Sequence, residues 1–319
     1  MFKKLLIPLD RSPLAEQALG RAAALARATD ASVDLVLVHE PFGAPLDVGL
    51  EGYVSDPADE QRYLEDVANE LRSGASLRVT CALMRGGASE MICERAKEID
   101  ADLIVMTSHA RTGFGRMWLG SVADAIVRNA AIPVLMLRPV ERAPERQAAK
   151  SLFKSILLPL DGSSLAAEAV GPATDVARAS GADLTLLRVV APVPLVSAYD
   201  VTVPLAYPPL VPDEAATREV VREVQAELDE IARRLGEEHH IKVSTDIIIS
   251  ERTAPSIIDY ARAHDVDLIA MCTHGRGATR LLVGSVADAL LRGSRVPILL
   301  QRPARTAVES VVLSDASAA

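Results

Sequence analysis

The chain predicts an α/β protein of two tandem domains, each a doubly wound sheet of five parallel strands. Three observations carry that expectation. The chain is written twice: Leu119–Pro139 (LGSVADAIVRNAAIPVLMLRP) recurs as Val283–Pro303 (VGSVADALLRGSRVPILLQRP) with 11 of 21 positions identical, and KKLLIPLDRS at Lys3–Ser12 returns as KSILLPLDGS at Lys154–Ser163. Short apolar runs alternate with stretches of helical periodicity, the order that gives right-handed crossovers and a parallel sheet. The length, 319 residues with 49% hydrophobic content, supports two ordinary cores. Asp10 to Asp161 is an offset of 151 and Gly120 to Gly284 an offset of 164, so each assignment is made in two copies.

Lys4–Leu9 (KLLIPL) is a continuous apolar run, as expected of a strand buried on both faces. Ser12 offers an N-cap with Pro13 behind it, and Leu14, Ala18, Ala22, Leu25 and Ala26 then mark a helix over Leu14–Ala28. Val33–His39 is the second strand. After a long loop come a helix over Ala58–Arg72, a third strand at Leu77–Met84, a helix at Glu90–Glu98 and a fourth strand at Asp102–Thr107. Gly-Ser opens a last helix, Ser121–Asn129, and Pro133–Leu137 is the fifth strand. The second copy repeats the order with strands at Ser155–Leu160, Leu184–Val190, Val243–Ile249, Leu268–Cys272 and Ile298–Leu300. The domains are thus expected at 1–141 and 151–305, with 142–150 (RAPERQAAK) as linker and 306–319 as a fraying tail in which ESVVL is able to add an edge strand. Ala191–Pro212 is a proline-rich excursion without periodicity. Each fifth strand would leave an apolar edge, which the two units are expected to cover for one another as a pseudo-twofold pair; a further homodimer stays open.

A net charge of −9 argues against nucleic-acid polymers, which call for a basic face, but leaves room for a single nucleotide. Cys81, Cys93 and Cys272 are odd in number and far apart, so they read as reduced thiols rather than a disulfide framework. The first apolar run is too short for a signal-peptide core, and no run approaches the roughly 20 residues of a membrane span. A soluble cytoplasmic protein is expected.

Ligands of open α/β sheets settle beyond the carboxyl ends of the strands. Two loops per unit lie there: the one carrying Asp10 (Asp161), and Thr107–Ser121, TSHARTGFGRMWLGS, matched by Cys272–Ser285, CTHGRGATRLLVGS. Small residues let backbone amides crowd an anion, and the helix opened by Ser121 or Ser285 adds N–H groups and a positive dipole end. Arg111 and Arg116, with Arg276 and Arg280, could supply positive charge. An ordinary capping box, Ser121 with Asp124 and Ser285 with Asp288, explains the same letters equally well. For Asp10 capping of the following helix is the stronger reading and ligand contact the weaker, and for His109 and His274 a hydrogen bond that fixes loop shape outweighs a ligand role. His39 has no twin, Arg188 taking its place, and His239-His240 read as groups at a helix end. No histidine has metal-ligand spacing, and neither GxSxG nor GxxxxGK[ST] occurs.

A strand ending in PLD with Ser two positions on, then a strand followed by [ST]-H-[GA]-R, GSVAD and P-[VI]-L, resembles the universal stress protein family. The resemblance runs from Phe2 to Pro139 and from Phe153 to Pro303. It implies a Rossmann-like fold, dimers, and in some members ATP bound through G-x2-G-x9-G-[ST], the Asp after the first strand and a residue after the second. Carried over, it implies an adenine-nucleotide site in the first unit of Pro8, Leu9, Asp10, Met106, Thr107, Ala110, Arg111, Gly120, Ser121 and Val122. In the second unit it implies Pro159, Leu160, Asp161, Val189, Met271, Cys272, Gly275, Arg276, Gly284, Ser285 and Val286. Mg2+ would accompany the triphosphate, with no protein metal ligand and no catalytic residue implied. Thr107 and Cys272 replace the first glycine and Ala110 the second; the second spacer, Arg276–Val283, is one residue short of nine; Glu40 stands where many members have valine, whereas Val189 keeps the apolar contact. Two functions therefore remain: a nucleotide-responsive stress regulator with at most slow hydrolysis, or a nucleotide-free scaffold acting through its surfaces. A nucleotide α-hydrolase is disfavoured, since PLDRS and PLDGS stand where an SGGxDS loop would be.

Overall fold

The computed structural model describes residues 1–40, 56–108, 119–139, 152–195, 212–273 and 283–303. In the first unit, β1 (Lys4–Leu9), α1 (Pro13–Thr29), β2 (Ser32–His39), α2 (Pro57–Ala75), β3 (Val79–Arg85), α3 (Ala88–Glu98), β4 (Leu103–Thr107), α4 (Ser121–Asn129) and β5 (Val134–Leu137) follow in order. The second unit has β6 (Ser155–Pro159), α5 (Ser164–Ala167), α6 (Val170–Ser180), β7 (Asp183–Val190), α7 (Glu214–His239), β8 (Val243–Ile249), α8 (Thr253–Ala263), β9 (Leu268–Cys272), α9 (Ser285–Gly293) and β10 (Ile298–Gln301). The ten strands form one sheet in the order β3-β2-β1-β4-β5-β10-β9-β6-β7-β8. Within each unit every pairing is parallel, and the units meet through an antiparallel pair, Leu299 opposite Leu135 at its centre. The two fifth-strand edges thus cover each other.

Both faces of the sheet are clothed. Leu5, Ile7, Leu35 and Val105 pack under α1 and α2, as Ile156, Leu158, Leu184 and Ala270 pack under α6 and α7. Leu6, Val36, Ile104 and Met136 pack under α3 and α4, as Leu157, Leu187, Ile269 and Leu300 pack under α8 and α9. The antiparallel seam puts like faces on like sides but points the two strand sets in opposite directions. Their carboxyl ends, where α/β ligand sites form, therefore lie at opposite ends of the sheet.

The copies are not identical. The helix after β1 is continuous, whereas its counterpart breaks between α5 and α6. Pro172 has no N–H to give the Glu168 carbonyl, which costs the helix a bond at that point. The proline-rich excursion is pinned where it starts and ends: Pro194 bridges Pro212, and the Asp213 N–H reaches the Val193 carbonyl at 2.8 Å. The stretches 142–150 and 306–319 lie outside the described residues, as does most of that excursion.

Polar links also cross between units. Arg21 donates to the Leu152 carbonyl at 2.9 Å and lies 4.5 Å over the Phe153 ring. Arg138, just past β5, donates from Nη2 to the Leu291 carbonyl at 2.6 Å, in the last turn of α9. Burial pushes its guanidinium down to about 10, and the negative end of the α9 dipole offsets part of that cost.

Candidate functional site

At the end of β1 the chain turns on a carboxylate. Asp10 Oδ1 accepts the Ser12 N–H at 2.9 Å, and Ser12 caps α1 by accepting the Ala15 N–H at 3.1 Å. Asp161 repeats the device: its Oδ1 accepts the Ser163 N–H at 2.9 Å and the Ser163 hydroxyl at 2.6 Å, and Ser163 caps α5 through the Ala166 N–H. The residue between is left-handed in both copies, Arg11 at φ 64° and Gly162 at φ 82°. A β-carbon there costs about 1 kcal/mol. Gly162→Ala is accordingly expected to lower the unfolding free energy by about that amount in urea denaturation. An unchanged midpoint would mean the turn relaxes.

Thr107 and Cys272, the two residues that stand in place of the first glycine, are turned into the core. Thr107 is buried and its Oγ1 donates to the Leu14 carbonyl of α1 at 2.9 Å. Cys272 belongs to the same-side core, and burial above all, then the Glu168 carboxylate, pushes its thiol up to about 12. Both side chains face α1 or α5, while their neighbours Met106 and Met271 lie in the opposite core. The end of β9 is tied to the start of α9, because the Gly284 N–H donates to the Thr273 carbonyl at 2.8 Å.

The capping box is not formed. Gly120 and Gly284 are the N-caps, which places Ser121 and Ser285 at the first helical position and neither helix start has a side-chain cap. Asp124 and Asp288 fall one position too far along to reach back. They instead take Arg128 (2.7 and 3.1 Å) and Arg292 (3.0 and 2.9 Å) one turn on. The first-turn amides at Ser121–Ala123 and Ser285–Ala287 therefore present a positive helix end without a side-chain acceptor from their own caps.

Strand register corrects two equivalences. Pro8 pairs Val36, and Pro159 pairs Leu187, so β2 and β7 correspond at an offset of 151. The counterpart of His39 is then Val190, not Arg188, and the counterpart of Val189 is Val38, not Glu40. Val38 was missed because two motifs were aligned by their chemistry and not by the constant offset. Val38, Met84, Met106, Leu119 and Val122 all belong to the α3/α4-side core, as Val189, Ile248, Met271, Val283 and Val286 belong to the α8/α9 side. Glu40 takes another task, accepting the Ala88 N–H at the start of α3 at 3.3 Å. His39 Nδ1 lies 2.9 Å from Glu60 Oε2, both largely buried.

Among the site residues, Pro8 and Leu9 are buried, Pro159 half-buried and Leu160 buried, all backing the turn. His109, Ala110, Arg111 and Arg116 lie outside the described residues, as do His274, Gly275, Arg276 and Arg280. Among the described residues no three His, Cys, Asp or Glu side chains form a metal cage. A cavity of about 560 Å3 opens at the other, amino end of β1–β3, lined by Lys4, Asp34, Arg72, Arg78 and Arg95. Its arginines are matched by acids: Arg95 holds buried Asp34 at 3.0 and 2.8 Å, and Arg72 and Arg78 lie 3.6 and 3.4 Å from Glu65 and Asp30, while Lys4 Nζ donates to the Ile99 carbonyl at 2.5 Å. It is a structural ion-pair network.

The model of the universal stress protein family matches residues 1–138 and again 152–302. The chain belongs to that family. A universal stress protein of Methanocaldococcus jannaschii is 32% identical over 143 residues, 43% of this chain and 83% of that one. Of two universal stress proteins from Mycobacterium tuberculosis, one is 27% identical over 313 residues and 97% of its length is spanned. The chain spans 62% of the other, at 28% identity over 207 residues. A solved universal stress protein from Archaeoglobus fulgidus superposes with a TM-score of 0.65 at 18% identity, covering 95% of this chain and 97% of its own. That likeness establishes the fold. Two family domains in one sheet are thus the frame, and among the described residues no helix is long and apolar enough to cross a membrane.

Proposed function

We propose that each universal stress domain binds an adenine nucleotide, ATP foremost, and that occupancy biases the association of this chain with protein partners. The observation that carries this is a Gly-Ser helix start without a side-chain cap, together with an Asp turn at the end of the neighbouring strand β1 or β6, in both copies. Asp10 and Asp161 would meet the adenine or ribose edge, with Val38 and Val189 as the apolar contacts. The loops Thr107–Arg111 and Cys272–Arg276 would cradle the phosphates, including Ala110, Gly275 and the two arginines. Gly120-Ser121-Val122 and Gly284-Ser285-Val286 would close on the terminal phosphates through their amides. Mg2+ would ride on phosphate oxygens and water, a mode of binding that needs no protein cage. Hydrolysis forms no part of the proposal.

A nucleotide-free scaffold loses part of its support, because Thr107 and Cys272 point away from the crevice. The one-residue deletion in the second spacer still favours it for that unit. Native mass spectrometry of the chain as purified from cells separates the two. Masses of AMP, ADP or ATP leaving with the protein support nucleotide binding; a bare chain, which also fails to take up added ATP, supports the scaffold.

A further inference from the structure

Among the described residues the sheet ends in two strands, β3 and β8, each paired on one side only. An open edge of that kind is a template for another chain. β8 carries the greater hazard, because Ile247, Ile248 and Ile249 run together and Ile249 is 53% exposed. Its pairing with β7 fixes which backbone groups stay free. The Leu184 N–H donates to the Lys242 carbonyl and the Ser250 N–H to the Val190 carbonyl, each at 2.9 Å. Backbone groups alternate sides along a strand, so those of Val243, Thr245, Ile247 and Ile249 face outward. Inside that row the Ile247 N–H is already taken: Asp246 Oδ1 accepts it at 2.8 Å. The Tyr260 hydroxyl of α8 bonds the same side chain and holds it in place; burial, and after it this bond, pushes that hydroxyl up to about 12. The first copy has Ala82 where Asp246 stands, since β3 and β8 correspond at an offset of 164. There the Val33 N–H donates to the Arg78 carbonyl, so the outward row begins with Val79. Its carbonyl takes Nε and Nη2 of Arg72 at 3.1 and 2.9 Å. The fold does not require a carboxylate at position 246, yet each edge gives one backbone group to a charged side chain.

We propose that Asp246 is an edge guard: by occupying the Ile247 N–H it keeps β8 from pairing with β8 of a second copy of this chain. Such a partner would approach antiparallel about a twofold axis, and its carbonyl would find this donor in use. To pair, it must break the bond and leave the Asp246 carboxylate without that donor inside a closing interface, where an unmet polar group is costly. The exposed isoleucines would otherwise favour the contact. The guard is independent of nucleotide binding, and it acts on the edge opposite the one that joins the two units.

The test is sedimentation velocity of the full chain and its variants over a range of protein concentrations. Asp246→Ala removes the acceptor and installs the residue that the first copy already tolerates. It is expected to bring a species of about twice the parent's mass or more, growing with concentration. Asp246→Val, a better strand former, is expected to do the same and covers the case in which Asp246→Ala does not fold. Asp246→Asn drops the charge but keeps an acceptor on the same stem, and is expected to keep the parent's mass. Adding Ile249→Lys to Asp246→Ala charges the exposed edge without touching the Ile247 N–H, and is expected to return the parent's mass. Alanine and valine variants that stay at the parent's mass at every concentration overturn the proposal. Association of Asp246→Asn as strong as that of Asp246→Ala also overturns it, because charge and not the occupied N–H would then be the barrier. Larger species that Ile249→Lys fails to reverse overturn it as well, since they would form through another surface.

Discussion

Replacing Asp34 by Ala is expected to destabilise the chain by about 3 kcal/mol or more. Asp34 is buried near the start of β2, its carboxylate held by the Thr80 hydroxyl and by two nitrogens of Arg95 from α3. That bidentate bond to Asp34 is the main reason the Arg95 guanidinium is held above its ordinary range. Removing the carboxylate leaves a largely buried cation whose nearest acid is the exposed Glu98. The duplicate shows that the pair is dispensable when both partners go. At an offset of 151 Asp34 becomes Thr185, whose hydroxyl lies 3.1 Å from that of Ser244, the counterpart of Thr80. Asp34→Thr with Arg95→Met is therefore expected to fall within about 1 kcal/mol of the parent. Guanidinium denaturation of the single and double variants measures both. A single variant that loses less than about 1 kcal/mol would mean that water already reaches Arg95.

The other large effect is expected at the seam. Leu299 and Leu135 face each other where β10 meets β5, and both are wholly buried. Leu299→Asp sets an unpaired carboxylate between two packed layers, at an expected loss of about 4 kcal/mol or more. It also reopens two apolar edges, which then invite pairing with other chains. Denaturation should show the loss, and light scattering after gel filtration should show larger species at low denaturant. A parent-like midpoint with an unchanged mass would contradict a seam that carries the joint core.

Strand positions were legible because runs such as Lys4–Leu9 and Leu268–Cys272 are apolar and sharply bounded, and the structure returns those bounds unaltered. The joining of the edges was legible too, since a short apolar fifth strand written twice calls for a mate. What the letters could not settle was local and geometric. Ser121 and Asp124 have capping-box spacing, yet the preceding glycine takes the cap and shifts the box by one residue. Arg188 looked like a stand-in for His39 because both are basic and end a strand, but register puts Val190 there. Gly171-Pro172 did not announce a broken helix, because the apolar period continues through Ala173, Val176 and Ala177. Arg138 gave no signal in sequence at all. Its partner is a helix carbonyl 153 residues downstream, which only the antiparallel seam brings to it.

The central claim is that two peptide-amide crevices of this chain accept a purine triphosphate. Equilibrium dialysis of the full chain against ATP with Mg2+ tests it most directly. Saturation is expected well below about 1 mM, approaching two nucleotides per chain. A binding curve still linear at that concentration would contradict it.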